Sequence, residues 1–198
     1  MSKIGIFSGT FDPVHKGHVS FALEAAKTAG LDKVYFLPEA VPRRHSGVTH
    51  YAHRVAMLRL AIKPYKSLGI LDLPDKQFSV NRTLPRLQKK FPDADLHLLL
   101  GSDVVQYLGS GAWPSTDTLL KSMKLVVGMR TGEDTDLMIA SLQDLVPDRS
   151  FHIVMTNAPH ASSSDVRAAL QRGDSHDNAL ISLEKYIKQN WLYEVVPS

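Results

Sequence analysis

Two histidines three positions apart are the residues of this chain best placed to do chemistry. His15 and His18 enclose Lys16 and Gly17. If a helix begins here, the two rings project from the same side, because residues three apart are neighbours on a helix surface. Both rings can donate hydrogen bonds to phosphate oxygens, and Lys16 adds a positive charge beside them. This spacing predicts a site for an anionic ligand that carries phosphate.

The residues before the histidines suit the same ligand. Ser8, Gly9 and Thr10 follow a short apolar run, and their small side chains let a phosphate approach the backbone amides. The N-terminus of a following helix stabilises a nearby anion by about 0.3–1 kcal/mol. The segment lacks the GxxxxGK[ST] pattern of a P-loop and the GxGxxG pattern of a dinucleotide-binding loop. A zinc pair is the alternative for the two histidines, although no third ligand lies close by in the sequence.

Two later segments carry further polar groups at the expected element ends. Gly101 and Asp103 directly follow an apolar run, so Asp103 either accepts hydrogen bonds from ribose hydroxyls or caps the next helix. Near the end of the chain, Arg167 stands one turn into a predicted helix, where its guanidinium can bind phosphate with two hydrogen bonds. The start of that helix carries a hydroxyl cluster of Ser162, Ser163 and Ser164, and either of the first two suits its N-cap.

The composition narrows the class of protein. The chain has 198 residues, 43% apolar and 22% charged, which excludes a disordered or fibrous protein. It has no cysteine, so disulfides, thiolate metal sites and cysteine nucleophiles are excluded. The net charge is only +3 and is dispersed, which favours a small anionic ligand over a polynucleotide. With no signal-peptide pattern and no apolar run of about 20 residues, we expect a cytoplasmic protein without membrane contact.

Short apolar runs alternate with amphipathic segments, as is typical of a doubly wound, Rossmann-like α/β fold with a mostly parallel sheet flanked by helices. We expect a single domain over residues 1–198, with residues 160–198 as its C-terminal helical part. Ligands of such folds lie at the carboxyl ends of the strands, which places residues 8–18 at the site. The predicted strands are 3–7, 33–37, 68–71, 95–100, 124–129 and 151–155, and the predicted helices are 19–28, 53–62, 81–90, 137–145, 165–171 and 183–189. Asn81 is the expected cap of its helix, since Pro85 favours a first turn.

The string GTFDPVHKGH resembles the (H/T)xGH signature of the nucleotidyltransferase superfamily, and within it the chain resembles the bacterial nicotinate-nucleotide adenylyltransferases over nearly its full length. GSD at 101–103 and SSSDVR at 162–167 resemble the family's GxD and ISSTxIR stretches. The resemblance implies transfer of AMP from ATP to the 5′-phosphate of nicotinate or nicotinamide mononucleotide in NAD biosynthesis, with Mg²⁺ carried by ATP. Asp12 either assists that magnesium or only forms a turn with Pro13.

The resemblance also implies roles for individual residues. His15, His18, Lys16 and Arg167 are the expected catalytic residues, which neutralise charge on the transferred phosphates. The expected ATP-binding residues are Ser8, Gly9, Thr10, Phe11, Gly101, Asp103, Ser162, Ser163 and Ser164. The expected mononucleotide-binding residues are Arg43, Arg44, His45, Thr83 and Trp113.

The mononucleotide-binding residues have alternatives. Residues 43–45 lie where the family has a PPHK-like loop, and they also suit exposed loop charges. The family's SYTxxTL stretch reads FSVNRTL at 78–84, so only Thr83 and Leu84 match and the acceptor is left open. Trp113 fits the tryptophan that the family places near the nicotinate, but a core position is the alternative.

Three other functions compete with this interpretation. The first is another nucleotidyltransferase, such as a pantetheine-phosphate adenylyltransferase or a cytidylyltransferase. The second is a fragment of a class I aminoacyl-tRNA synthetase, since HKGH resembles HIGH and residues 121–124 faintly resemble KMSKS. The third is a nucleotide-binding module without catalytic activity. The presence of both histidines and Arg167 argues against the third.

Overall fold

The computed structural model describes residues 1–42, 47–130, 132–146, 151–156, 162–174, 177 and 179–193. All six predicted strands and all six predicted helices are present there, with ends shifted by at most three residues. The strands are β1 Lys3–Gly9, β2 Lys33–Pro38, β3 Leu68–Ile70, β4 Asp95–Gly101, β5 Lys124–Arg130 and β6 Phe151–Thr156. The helices are α1 Lys16–Ala29, α2 Tyr51–Ile62, α3 Val80–Lys90, α4 Ser102–Gly109, α5 Thr116–Ser122, α6 Thr135–Leu145, α7 Ser163–Arg172 and α8 Ile181–Gln189.

The strands form one sheet in the order β3-β2-β1-β4-β5-β6. All five neighbouring pairs are parallel, so the expected doubly wound fold is confirmed. The chain moves outward from β1 to β3 and then returns to β4 on the other side of β1. This reversal of direction leaves a crevice at the carboxyl ends of β1 and β4, the place where ligands bind in such sheets.

Helices cover both faces of the sheet, which explains why its central strands are apolar throughout. In β4, Leu98 and Leu100 face α3, α4, α5 and α6, whereas Leu99 faces α1, α2 and α8. Helix α8 also packs against α2. Within the described residues, no helix has the length and apolar character needed to cross a membrane.

One predicted helix cap is wrong. Ser79, not Asn81, is the N-cap of α3, and the Asn81 side chain instead accepts a hydrogen bond from the Ser115 hydroxyl at 3.0 Å. Pro85 therefore lies beyond the first turn of the helix. The structure accommodates it because Pro85 and Asn81 are both exposed, so water can reach the carbonyl that a proline leaves unbonded.

Candidate active site

The first loop, residues 10–15 between β1 and α1, brings the two histidines together. His15 is the N-cap residue of α1 and is 5% exposed, while His18 in the first turn is partly exposed. Their ring centroids lie 3.8 Å apart and the ring planes are inclined by 36°. The rings thus share one side of the helix start, as their spacing predicts.

The His18 ring is held in one tautomer. The backbone N–H of His15 donates to His18 Nδ1 at 3.3 Å, so the neutral ring carries its proton on Nε2. Burial, and then the Coulombic interaction with His15, lower the pKa of His18 well below its ordinary value. The surrounding rings of Phe7 and Phe11, with centroids 5.9 and 5.1 Å away, account for this desolvation. His18 is therefore a neutral N–H donor at neutral pH in the ligand-free protein.

Phe11 closes the floor of the loop in an unusual backbone conformation. Its φ of 51° lies in the left-handed region, which residues other than glycine rarely adopt. Its buried ring packs edge-on against Phe7 and Phe36, with centroids 5.3 and 5.2 Å away. A Cβ on Gly9 would lie 3.0 Å from this ring, which explains the glycine at the end of β1.

A cleft of about 430 Å³ opens at the carboxyl ends of the strands and joins all three sequence motifs. His18 from the first loop, Asp103 from the start of α4 and Arg167 from α7 line the same space. The other predicted residues that line it are Thr10, Phe11, His15, Gly101, Ser162, Ser163 and Ser164. The imidazoles and the guanidinium, far apart in the sequence, thus face one cleft.

Helix α7 is hydrogen-bonded to the first loop. Ser162, one of the two predicted caps, is its N-cap, and the Ser162 hydroxyl accepts from the Asp165 N–H at 3.1 Å. The Ser163 hydroxyl donates to the Pro13 carbonyl at 3.0 Å. Arg167 donates from Nη1 to the Asp12 carbonyl and from Nη2 to the Ser164 hydroxyl. The hydroxyl cluster therefore positions the helix start as well as lining the cleft.

Arg54, which lies outside the three motifs, is hydrogen-bonded to the backbone of the first loop and of two nearby segments. Its fully buried guanidinium donates to the carbonyls of Thr10, Thr49 and Ala40 at 2.6, 2.9 and 3.3 Å. A signal was present in the sequence, because Arg54 shares the buried face of α2 with Met57, Leu58 and Ala61, which follow at helical spacing. An arginine among apolar residues indicates a buried polar contact.

Asp12 links the first loop to two other segments. It is 2% exposed, and its carboxylate accepts from the Thr49 N–H at 3.1 Å and from the Tyr193 hydroxyl at 2.6 Å. Burial, and then the hydrogen bond to Asp12, raise the pKa of Tyr193, so this hydroxyl stays protonated and acts as the donor. No sequence signal pointed to Tyr193, because its partner lies at the other end of the chain.

Strand β5 contributes residues that the motifs did not reveal. Gly128 lies opposite Gly101 in the sheet register, and both line the cleft. A Cβ on Gly128 would lie 2.8 Å from the Phe21 ring, so only glycine fits there. Glu133 accepts from the Ser102 hydroxyl and the Arg130 N–H, both at 2.7 Å, and thereby joins the ends of β4 and β5.

Some predicted residues occupy different positions. Asp103 does not cap α4, because Gly101 takes that place and Asp103 lies exposed in the first turn. Lys16 is exposed and does not line the cleft. Ser8 and Gly9 do not line it either, since both still belong to β1 and contact the end of β2. There, the Ser8 hydroxyl donates to the Glu39 carboxylate at 3.4 Å, and the Glu39 N–H donates to the Gly9 carbonyl at 2.9 Å.

The predicted mononucleotide-binding residues lie away from the cleft lining or outside the described residues. Arg43, Arg44 and His45 fall in the range 43–46, which is not described. Thr83 is fully buried and its hydroxyl accepts from the Ser79 N–H at 2.9 Å. Trp113 is half-buried and its ring lies 6.1 Å from those of Phe78 and Tyr107. Their roles stay predictions.

Glu39 connects these residues to the first loop. Its carboxylate accepts from the Phe78 N–H at 3.0 Å. In the same region, the Val41 N–H donates to the Lys76 carbonyl at 3.0 Å, and the Gln77 side chain donates to the Val41 carbonyl at 2.7 Å. We call residues 39–42, residues 76–83 and Trp113 the mononucleotide side. The first loop with the start of α7 is the phosphate side.

The zinc alternative finds no support in the geometry. Within the described part of the chain, no three histidine, aspartate or glutamate side chains converge to hold a metal ion. Such a convergence is what a protein zinc site requires.

Comparison with known proteins relates the chain to one family and, within it, to one group of enzymes. The cytidylyltransferase-like family model matches residues 6–169. The chain is 32% identical to nicotinate-nucleotide adenylyltransferase of Bacillus subtilis (strain 168), covering 98% of this chain and all of that protein. It is 31% identical to a probable nicotinate-nucleotide adenylyltransferase of Thermomicrobium roseum, covering 99% of this chain and 94% of that protein.

Solved structures agree on the fold. Plasmodium falciparum nicotinic acid mononucleotide adenylyltransferase complexed with NaAD matches with a TM-score of 0.79 over 98% of both chains. Its sequence identity is 16%, so this match establishes the shared fold alone.

Proposed function

Because the chain belongs to the cytidylyltransferase-like family and, within it, to the nicotinate-nucleotide adenylyltransferases, we propose that it transfers AMP from ATP to nicotinate mononucleotide in NAD biosynthesis. The 5′-phosphate of the mononucleotide attacks the α-phosphorus of ATP. A new phosphorus–oxygen bond forms, and the bond to the β-phosphate breaks so that pyrophosphate leaves. The observation that carries the proposal is the convergence of His15, His18 and Arg167 on one cleft.

This reaction suits a cleft without a general base. The attacking phosphate is already anionic, so the protein needs to align the two substrates and stabilise the transferred phosphates. Alignment alone can contribute about 7–11 kcal/mol. Arg167 and the start of α7 supply donors on one side of the cleft, and the first loop supplies them on the other.

The geometry adds to the expected role of His18. In the ligand-free protein, burial lowers the pKa of His18, which favours the neutral ring. The His15 backbone fixes the direction of its Nε2–H, so His18 can donate to the phosphates as a preorganised donor. The anionic phosphates of bound ATP favour the protonated ring, so neutralisation of their charge by His18 stays a prediction.

We further propose that magnesium enters with ATP rather than on ligands of the protein. Magnesium in nucleotide sites is bound mostly through the phosphates and few carboxylates, and it offsets their charge. Both oxygens of Asp12 already accept protein donors, which supports the turn-forming role for this residue. Asp103 remains exposed at the cleft.

Nicotinate as the acceptor rests on the names of the relatives. The altered stretch at 78–84 leaves the choice between nicotinate and nicotinamide to experiment. The expectations that the protein is cytoplasmic and contacts neither a membrane nor a polynucleotide also stay predictions.

An acceptor panel tests the proposal. Purified protein is incubated with ATP, magnesium and, separately, nicotinate mononucleotide, nicotinamide mononucleotide or phosphopantetheine, and pyrophosphate and dinucleotide are measured. We expect both products with nicotinate mononucleotide. Products with phosphopantetheine alone would indicate the pantetheine-phosphate enzyme, and no product with any acceptor would refute adenylyl transfer.

A further inference from the structure

The end of the described chain returns to the first loop. After α8, Trp191 and Tyr193 both have left-handed φ values, 52° and 65°. This conformation is unfavourable for residues other than glycine, so it persists only where surrounding contacts hold it. Here it directs Tyr193 toward Asp12, and the hydroxyl donates to the carboxylate at 2.6 Å. The contact joins two segments that are nearly the whole chain apart.

Asp12 connects Tyr193 to Thr49 and to Arg167, which lines the cleft. Its second carboxylate oxygen accepts from the Thr49 N–H at 3.1 Å, and its backbone carbonyl accepts from Arg167. Asp12, Arg167 and the neighbouring loop residue Phe11 all line the cleft. A shift of the Asp12 side chain therefore moves groups that face the substrates.

Building on the proposed function, we propose that Tyr193 is a positioning residue for adenylyl transfer. Its hydroxyl fixes the Asp12 carboxylate, and Asp12 then holds the first loop and Arg167 in the geometry that the reaction needs. Because Asp12 is almost fully buried, water does not readily replace a lost donor. Loss of the hydroxyl leaves one carboxylate oxygen without its protein partner and lets the loop shift.

The test is the Tyr193→Phe variant, which retains the ring and removes the donor. We expect kcat to fall about tenfold, because small misalignment reduces turnover strongly. The KM values for ATP and the mononucleotide stay within about twofold, because a positioning role acts on the transition state. A Tyr193→Leu variant is equally slow, since the hydroxyl rather than the ring carries the effect.

Tyr186→Phe is the matched control. Its hydroxyl lies 2.9 Å from His53 Nδ1 and joins α8 to α2 without contacting Asp12. We expect this variant to keep the wild-type kcat. Hydrogen exchange supplies a second readout: peptides covering residues 10–18 and 47–52 exchange faster in Tyr193→Phe than in Tyr186→Phe.

A double-mutant cycle tests whether Tyr193 acts through Asp12. In an Asp12→Ala background, Tyr193→Phe should cause no further loss of turnover. The proposal is overturned if the losses in the double mutant are additive or if Tyr193→Phe does not fold. It is also overturned if Tyr193→Phe keeps the wild-type kcat while Tyr193→Leu is slow. Wild-type protein that is inactive on the whole acceptor panel refutes the proposed function instead, so the two failures are distinguishable.

Discussion

The phosphate side and the mononucleotide side of the site are built differently. On the phosphate side, buried side chains hold the loop: Arg54 donates to the Thr10 carbonyl, and the Asp12 carboxylate accepts two donors. Arg54 also donates to the Ala40 carbonyl of the mononucleotide side, at the longer distance of 3.3 Å. On the mononucleotide side, residues 39–42 and 76–78 are joined through backbone groups and the Glu39 carboxylate. Val41 there is 49% exposed, whereas Phe78, Val80 and Thr83 are buried. The phosphate side is thus held by buried polar side chains, whereas the mononucleotide side combines a partly exposed segment with the buried start of α3.

This difference matches the chemistry that each side is expected to perform. In the proposed reaction, the phosphate side binds the triphosphate, where the reaction requires preorganised donors. The mononucleotide side is expected to select the acceptor. The same contrast appears in the sequence, which matches the family closely at GTFDPVHKGH but departs from it at residues 78–84. Specificity can therefore diverge without disturbing the transfer site.

The largest expected effect is on turnover in His18→Ala. In the proposed reaction His18 contacts the transferred phosphates, and removal of such a polar group is expected to lower kcat by about 10²- to 10⁴-fold. The matched control is His152→Ala, on β6 near its amino end, which we expect to leave kcat unchanged. Steady-state rates of pyrophosphate release measure both variants. Full activity of His18→Ala would mean that adenylyl transfer does not depend on the hydrogen-bond donor of His18.

A smaller but still large effect is expected on stability in Arg54→Met. The change leaves three carbonyls without the charged donor that binds them, which lowers the free energy of unfolding by about 3 kcal/mol. The control is Arg59→Met on the exposed surface of α2, for which we expect little change. Urea denaturation measures both. Equal losses in the two variants would show that the phosphate side is not held by buried contacts.

The smallest expected effect concerns the mononucleotide side. Trp113→Phe shortens the half-buried ring that packs beside Phe78, and we expect the KM for the mononucleotide to rise about fivefold while the KM for ATP is unchanged. Trp191→Phe, at an exposed tryptophan, is the control and should alter neither constant. A loss of thermal stability without a change in KM would indicate instead that Trp113 serves the core.

The strands and six of the eight described helices were predictable because their signals are local, whereas α4 and α5 were not among the predicted helices. Apolar runs identified each strand of the described residues, and Gly30 ends α1 in a left-handed conformation, which glycine adopts without strain. Asn81 was misjudged as a cap because Ser79, two residues earlier, offers the same chemistry and the pattern does not decide between them. Lys16 was assigned to the cleft from its neighbours, but the pattern cannot tell which way a side chain at a helix start points.

The sequence by itself determined the parallel α/β fold, the three motifs and their order along the chain. These follow from hydrophobic periodicity and from residue types at element ends, which act over a few residues. Only the tertiary structure decided that Arg54 and Tyr193 contact the first loop and that burial lowers the pKa of His18. Those properties depend on burial and on partners distant in the chain, and no short stretch of sequence specifies either.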